Sequence, residues 1–221
     1  MSTDWLAWHD EYDDPDSSLS RRLTVVRDYL TRALSEAPAE ADGRRRLISL
    51  CAGDGRDVLP ILARHDRGHA VHAVLTELDP ELAARARATA TRLGLPGVDV
   101  RTGDSGSAGT FLDAAPAHIV MACGVFGNIS DDDVRRTIAA LPALLAEDGI
   151  VIWTRGRGGQ DVDPSESVRA DLEAHGFQEI AFTRPDDARF RVGMHRLATA
   201  PPPGRLTAQA QLFSFVPRQR E

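Results

Sequence analysis

The chain has 221 residues, with 33 acidic against 26 basic side chains and a formal net charge of -7. That length supplies one sizeable core, and the acidic balance makes a nucleic-acid backbone an unlikely partner, because phosphate binding needs a basic face. All 26 basic residues are arginine, which excludes a P-loop lysine, a Schiff-base lysine and a kinase-type phosphate lysine, and so moves phosphoryl transfer and pyridoxal chemistry down the list.

The first seventeen residues mix aspartates with Trp5, Trp8, His9 and Tyr12. From Ser18, the apolar residues Leu19, Leu23, Val26, Leu30 and Leu34 recur at helical spacing, with Ser17 or Ser18 as N-cap and an end before Pro38. Residues 39–46 read as a linker, and Arg44-Arg45-Arg46 as a solvated loop. Short apolar strands are then predicted over 47–51, 70–76, 98–101, 118–122 and 150–154. Helices are predicted between and after them, over 58–63, 80–93, 131–145 and 166–175. Strands that alternate with helices and are nearly all apolar imply a parallel sheet covered on both faces. After Gly176 the helices stop. Strand-like segments at 177–183, 190–197 and 210–216 suggest an antiparallel addition at one edge, and the sequence leaves open which two of them pair.

No apolar run approaches the roughly eighteen residues that span a bilayer. Asp4, Asp10 and Glu11 have the wrong sign for the start of a signal peptide, so the expected location is cytoplasmic, with no membrane partner. Cys51 and Cys123 stand far apart and outside metal-ligand spacing, so neither a metal nor a disulfide is expected.

In open α/β sheets, ligands bind beyond the carboxyl ends of the strands. The first strand runs into "LISLCAGDGRDVL", where Gly53 and Gly55 let a ligand approach the backbone. Glu77, twenty-four residues after Gly53, ends the second strand in "AVLTELDPEL", where a carboxylate can hold a ribose diol. Asp79 precedes Pro80 and reads instead as a helix cap. Asp104 and Ser105 follow the third strand in "VDVRTGDSG"; they suit either the exocyclic amine of an adenine or a plain Asx turn.

These segments together resemble the motifs of class I S-adenosylmethionine-dependent methyltransferases. "LISLCAGDGRD" is similar to their glycine stretch, "LTELDP" to their second-strand acid, "GDS" to their adenine-side acid, and "HIVMACGVFGNIS" to their fourth strand and its loop. The resemblance covers roughly 47–155. It implies a Rossmann-like α/β fold: a seven-stranded, mostly parallel sheet of order 3-2-1-4-5-7-6, helices on both faces, and an N-terminal helical cap over 1–37 joined to a domain over 47–221. It implies S-adenosyl-L-methionine as cofactor, S-adenosyl-L-homocysteine as product, and a cofactor site of Cys51, Ala52, Gly53, Asp54, Gly55, Glu77, Leu78, Asp104, Ser105, Cys123 and Gly124. Ser49 stands where the family often has an acid, and Cys51 replaces its first glycine. An ordinary φ is therefore expected at Cys51. The opening "WLAWHDEYDDP" also looks like the N-terminal helix of a little-described bacterial group of these enzymes.

Nicotinamide binding is the rival on a related fold, but Val58 occupies the place of the third glycine in its fingerprint. On the acceptor side, Trp8, Tyr12, Phe126, Asn128 and Arg155 are the candidate substrate contacts. Asn128 reads equally as a helix cap, and Arg155 as a strand-end charge or an anion ligand. Asn128 and His195 are the candidates for catalysis; Cys123 reads as a small buried hydrophobe. Methyl transfer needs alignment and water exclusion more than a dedicated catalytic group. The expected activity is methyl transfer to a small molecule, with an RNA methyltransferase and a non-catalytic S-adenosylmethionine-binding protein as alternatives.

Overall fold

The computed structural model describes Tyr12, Asp14 and residues 17–157, 162–199 and 206–216. Trp5 and Trp8 lie outside these described residues.

Helix α1 (Ser18–Glu36) is capped by Ser17, whose hydroxyl accepts from the Ser20 N–H at 3.0 Å. Strand β1 (Arg45–Ser49) leads through the glycine turn to α2 (Leu59–Arg64), followed by β2 (Val71–Glu77) and α3 (Pro80–Arg92). Asp79 caps α3 by accepting from the Glu81 and Leu82 N–H groups. Then come β3 (Val98–Thr102), β4 (Ala117–Ala122), α4 (Asp131–Leu144), β5 (Leu145–Gly156), α5 (Ser165–Ala174), β6 (Phe177–Thr183) and β7 (Phe190–Leu197).

The sheet has seven strands in the order β3-β2-β1-β4-β5-β7-β6. Its first five strands pair in parallel, and β7 runs antiparallel to both β5 and β6. Alternate side chains feed two cores, one on each face. Leu47, Leu75, Ile119, Met121 and Ile152 meet Val26, Leu30 and Leu34 of α1, Leu59 and Leu62 of α2, and Ala83 and Ala86 of α3. Ile48, Val74, Val120, Val151 and Trp153 meet Val134, Ile138 and Leu141 of α4 and Val168 and Leu172 of α5. Helix α1 thus packs in the same layer as α2 and α3.

Three expectations need correction. Arg45 and Arg46 belong to β1, and Arg45 is buried, donating from Nε and Nη2 to the Ala37 carbonyl at 3.2 and 3.0 Å. That carbonyl follows the last turn of α1, so the arginine ties the helix end to the sheet. Strand β5 begins five residues before the expected start, because Leu145 pairs with Ala117 before the chain loops out and rejoins β4 at Ile150 opposite Ile119. Asp148 makes that loop in the left-handed region, at φ 60°. Residues 210–216 form no strand; they make single bridges from Gln211 to Ser107 and from Phe215 to Ile129. This segment crosses the loops after β3 and β4, so it has no strand to follow, and it is held by burying Leu212 and Phe213.

Candidate cofactor cleft

The carboxyl ends of the strands open into a cleft enclosing about 950 Å³ of empty space, part of it open to solvent. Cys51, Ala52 and Gly53 line it from the turn after β1, Glu77 and Leu78 from the end of β2, Asp104 and Ser105 from beyond β3, and Cys123 and Gly124 from beyond β4. The α1 side chains Arg22, Leu23 and Val26, together with Tyr12, form the opposite wall.

Glu77 is fixed from two sides. Its Oε2 accepts from the Gly53 N–H and its Oε1 from the Asp79 N–H, both at 2.8 Å. Burial raises its pKa, and these two backbone donors oppose the rise. Each carboxylate oxygen still has a lone pair for an incoming hydroxyl. Next to it Leu78 is 63 % exposed, a large apolar side chain on the cleft wall. Asp104 makes the Asx turn, its Oδ1 accepting from the Gly106 N–H at 2.8 Å, while Oδ2 accepts from Gln211 Nε2 at 3.0 Å. Ser105 is a lock: its Oγ accepts from the Cys51 N–H at 3.1 Å and lies 2.8 Å from Thr76 Oγ1.

That lock explains a further correction. Cys51 has φ 55°, in the left-handed region rather than an ordinary one. The flanking Leu50 and Ala52 N–H groups bond the Met121 and Thr76 carbonyls, so the neighbours impose the turn on a residue with a Cβ. Such a backbone costs roughly 1–3 kcal/mol, and it keeps the loop in the shape a glycine would give. Burial pushes the Cys51 thiol up to about 12 and raises that of Cys123 as well. Both remain neutral thiols near pH 7, so neither competes as a nucleophile.

Two expected cofactor residues do not line the cleft. Asp54 pairs with Arg56 at 2.7 Å, and Gly55 is packed so tightly that an added Cβ would lie 2.7 Å from Leu59 Cδ1. Of the substrate-side candidates among the described residues, Tyr12 alone is on the cleft wall. Phe126 is buried against Trp153, with ring centroids 6.2 Å apart. Asn128 is buried and donates from Nδ2 to the Gly124 carbonyl at 2.6 Å, which closes the loop after β4. Arg155 is not among the residues lining the cleft; it donates to the Phe126 carbonyl and to Asp131, each at 2.8 Å. It clamps the start of α4 to the end of β5, and its Nε is buried without a hydrogen-bond partner.

His195 is also a core residue. Its Nδ1 accepts from Trp153 Nε1 at 3.2 Å, and burial lowers its pKa from 6.5 to about 4. Above about pH 6.5 this neutral ring costs the fold nothing; as pH falls toward 4 the unfolded chain takes up a proton that the folded chain refuses, and stability is lost. His195→Gln keeps an acceptor for Trp153 and removes the titration. The variant should therefore lose less stability than the parent between pH 6.5 and 4.5, by about 1.4 kcal/mol per pH unit at most. Urea unfolding at the two pH values measures this, and equal losses in both proteins would contradict it.

The cleft also gathers residues the sequence reading did not assign to it: Arg22, Leu23, Val26, Arg56, Asp57, Leu82 and Phe215. Leu23 and Val26 belong to the expected apolar face of α1, but spacing alone does not show that this face overhangs the strand ends. Asp57 directly follows the glycine turn, and its proximity to "GDG" was the available signal. Among the described residues, no group of three or more His, Cys, Asp or Glu side chains is disposed to hold a metal ion, and no helix is long and apolar enough to cross a membrane.

No family model and no curated protein matches the chain. Solved structures do. The chain is similar to an O-methyltransferase family protein from Burkholderia thailandensis, at 16 % identity and a TM-score of 0.63, covering 82 % of this chain and 57 % of that one. It is similar to the precorrin-6y C5,15-methyltransferase of Geobacter metallireducens, at 15 % identity and a TM-score of 0.52, covering 77 % and 85 %. It is also similar to the cyclase SpnF, at 17 % identity and a TM-score of 0.54, covering 76 % and 80 %. The chain has the class I methyltransferase fold, Rossmann-like with strand order 3-2-1-4-5-7-6. It spans little more than half the length of the Burkholderia protein. A cyclase among these neighbours illustrates that a fold does not by itself fix a reaction.

Proposed function

We propose that the chain is an S-adenosylmethionine-dependent methyltransferase acting on a small-molecule acceptor. The observation that carries this reading is Glu77, a carboxylate held on the cleft wall by the Gly53 and Asp79 N–H groups, directly beside the glycine turn. The residues fit the cofactor. Glu77 would take the ribose diol, Leu78 offers an exposed apolar surface for the purine, and Asp104 stands by for its amine. Gly124, at φ 77°, has nothing within 4 Å of where a Cβ would be, so the wall near Cys123 stays open to a bulky ligand.

When bound, S-adenosylmethionine supplies a methyl group made electrophilic by the positive sulfur. The chain's contribution is to hold the two partners in line and to keep water out. Leu23, Val26, Leu82 and Phe215 give the cleft apolar walls for that purpose. Proximity of this kind lowers barriers by roughly 7–11 kcal/mol. A base is required only when the acceptor arrives protonated.

A small acceptor is supported by the net charge of -7 and by a cleft overhung by α1 and Tyr12; a polymer would need an open groove with basic walls. The test is incubation with S-adenosylmethionine labelled in its methyl group and a fractionated cell extract. Label is expected in a low-mass fraction. Label confined to RNA or protein would defeat the small-molecule reading, and no transfer to any fraction would favour a non-catalytic binding protein.

A further inference from the structure

The charges along the cleft fall into two groups. The Cys51 thiol feels Glu77 and Asp104, whereas the Cys123 thiol feels Asp57 and Arg22. The first group is the proposed nucleoside end, and the second marks a separate end near the loop after β4.

At that second end Asp57 lines the cleft, yet its Oδ1 is buried with no hydrogen-bond partner. Burial, helped by the nearby Asp54, outweighs the pull of its own backbone N–H and the attraction of Arg22 and Arg27, and the carboxyl pKa rises to about 6. The neighbouring cations do not bond to it. Arg27 gives two hydrogen bonds to the Arg56 carbonyl at 3.0 and 2.6 Å. Arg56 pairs with Asp54 and lies over the Tyr12 ring at 4.6 Å. Arg22 lines the cleft while donating to the Tyr12 hydroxyl at 2.6 Å. A buried carboxylate oxygen without a donor is unfavourable, and a ligand bringing a charged N–H group would correct it.

We propose that Asp57 receives the α-ammonium group of a zwitterionic amino-acid moiety and that Arg22 faces its carboxylate, so that this end of the cleft seats the methionine tail of the cofactor. The proposal rests on the cofactor reading above and extends it to the residues that hold the tail. It explains why a buried carboxylate and a guanidinium both line the end of the cleft near Cys123.

Calorimetry with three ligands tests it: S-adenosylhomocysteine, its analogue lacking only the α-amino group, and methylthioadenosine, which lacks the whole tail. Asp57→Asn should weaken S-adenosylhomocysteine about ten- to a hundredfold, the scale of a charged hydrogen bond. It should leave the other two ligands unchanged, and their binding also shows that the variant is folded. For the parent, S-adenosylhomocysteine affinity should fall faster than methylthioadenosine affinity as pH drops below 6, because Asp57 loses its charge while both ligands share any loss at Glu77; in the variant the two ligands should fall together. The groups facing Asp57 do not mimic this: burial keeps Tyr12 and Cys123 protonated, Asp54 is tied to Arg56, and guanidinium groups are not deprotonated in proteins. Unchanged S-adenosylhomocysteine affinity in Asp57→Asn, or an equal loss for methylthioadenosine, would overturn the proposal. So would lost turnover at unchanged affinity, which would make Asp57 a base toward the acceptor. A parent that binds methylthioadenosine but not S-adenosylhomocysteine overturns this proposal alone, while a parent that binds neither overturns the cofactor reading first.

Discussion

Glu77→Gln should weaken S-adenosylhomocysteine by about one to two orders of magnitude, because a charged hydrogen bond contributes roughly 1.5–3 kcal/mol. The geometry sharpens the expectation. Both carboxylate oxygens accept from backbone N–H groups, of Gly53 and of Asp79. An amide has only one oxygen, so its NH₂ must face one of those donors and push the glycine turn or the start of α3 out of place. The loss should extend to methylthioadenosine, since the contact is with the ribose, and this separates Glu77 from Asp57. Calorimetry on both ligands reads the difference. Full affinity for either ligand would remove Glu77 from the site.

Trp153→Ala is the substitution expected to damage the fold most, by about 3–5 kcal/mol. Trp153 is fully buried, with Phe126, Phe182 and His195 rings 6.0–6.2 Å from its own. It also lies over Gly193, its partner across β5 and β7, where an added Cβ would come within 2.3 Å of the indole. The glycine makes room for the ring, so truncating the ring leaves a void that the opposite strand cannot fill. The indole N–H bond to His195 is lost with it. Chemical denaturation of parent and variant measures the effect. A loss below about 1 kcal/mol would mean that this side of the sheet collapses around the void, a relaxation that core cavities show only in part.

Much of the architecture was legible because its signals are local. Alternating apolar strands and helices state a doubly covered sheet, and the observed bounds of β6 and β7 coincide with the expected ones. Ser17 and Asp79 announce their helices by type and position. The misreadings have non-local causes. Three consecutive arginines look solvated until the Ala37 carbonyl is brought to Arg45 by the return of the chain from α1. Residues 210–216 carry strand chemistry, but two loops rather than a strand meet them.

The same division runs through the site. Gly53, Glu77, Leu78, Asp104 and Gly124 were legible because they follow strand ends at fixed places in the chain, and all of them line the cleft. Phe126, Asn128, Arg155 and His195 have the right chemistry for an acceptor site, but each is used to hold the fold. No single-residue signal distinguishes a buried polar group with partners from one left waiting for a ligand. Asp57 was passed over for that reason: its Oδ1 is notable only once the surrounding donors have been accounted for.

Titration of the full chain with S-adenosylhomocysteine, run beside an identical titration with NAD, tests most directly whether the cleft is a methyltransferase cofactor site. Saturable one-to-one binding of S-adenosylhomocysteine, weakened by Glu77→Gln and not displaced by NAD, is the expected result. No binding of S-adenosylhomocysteine, or preferential binding of NAD, would contradict it.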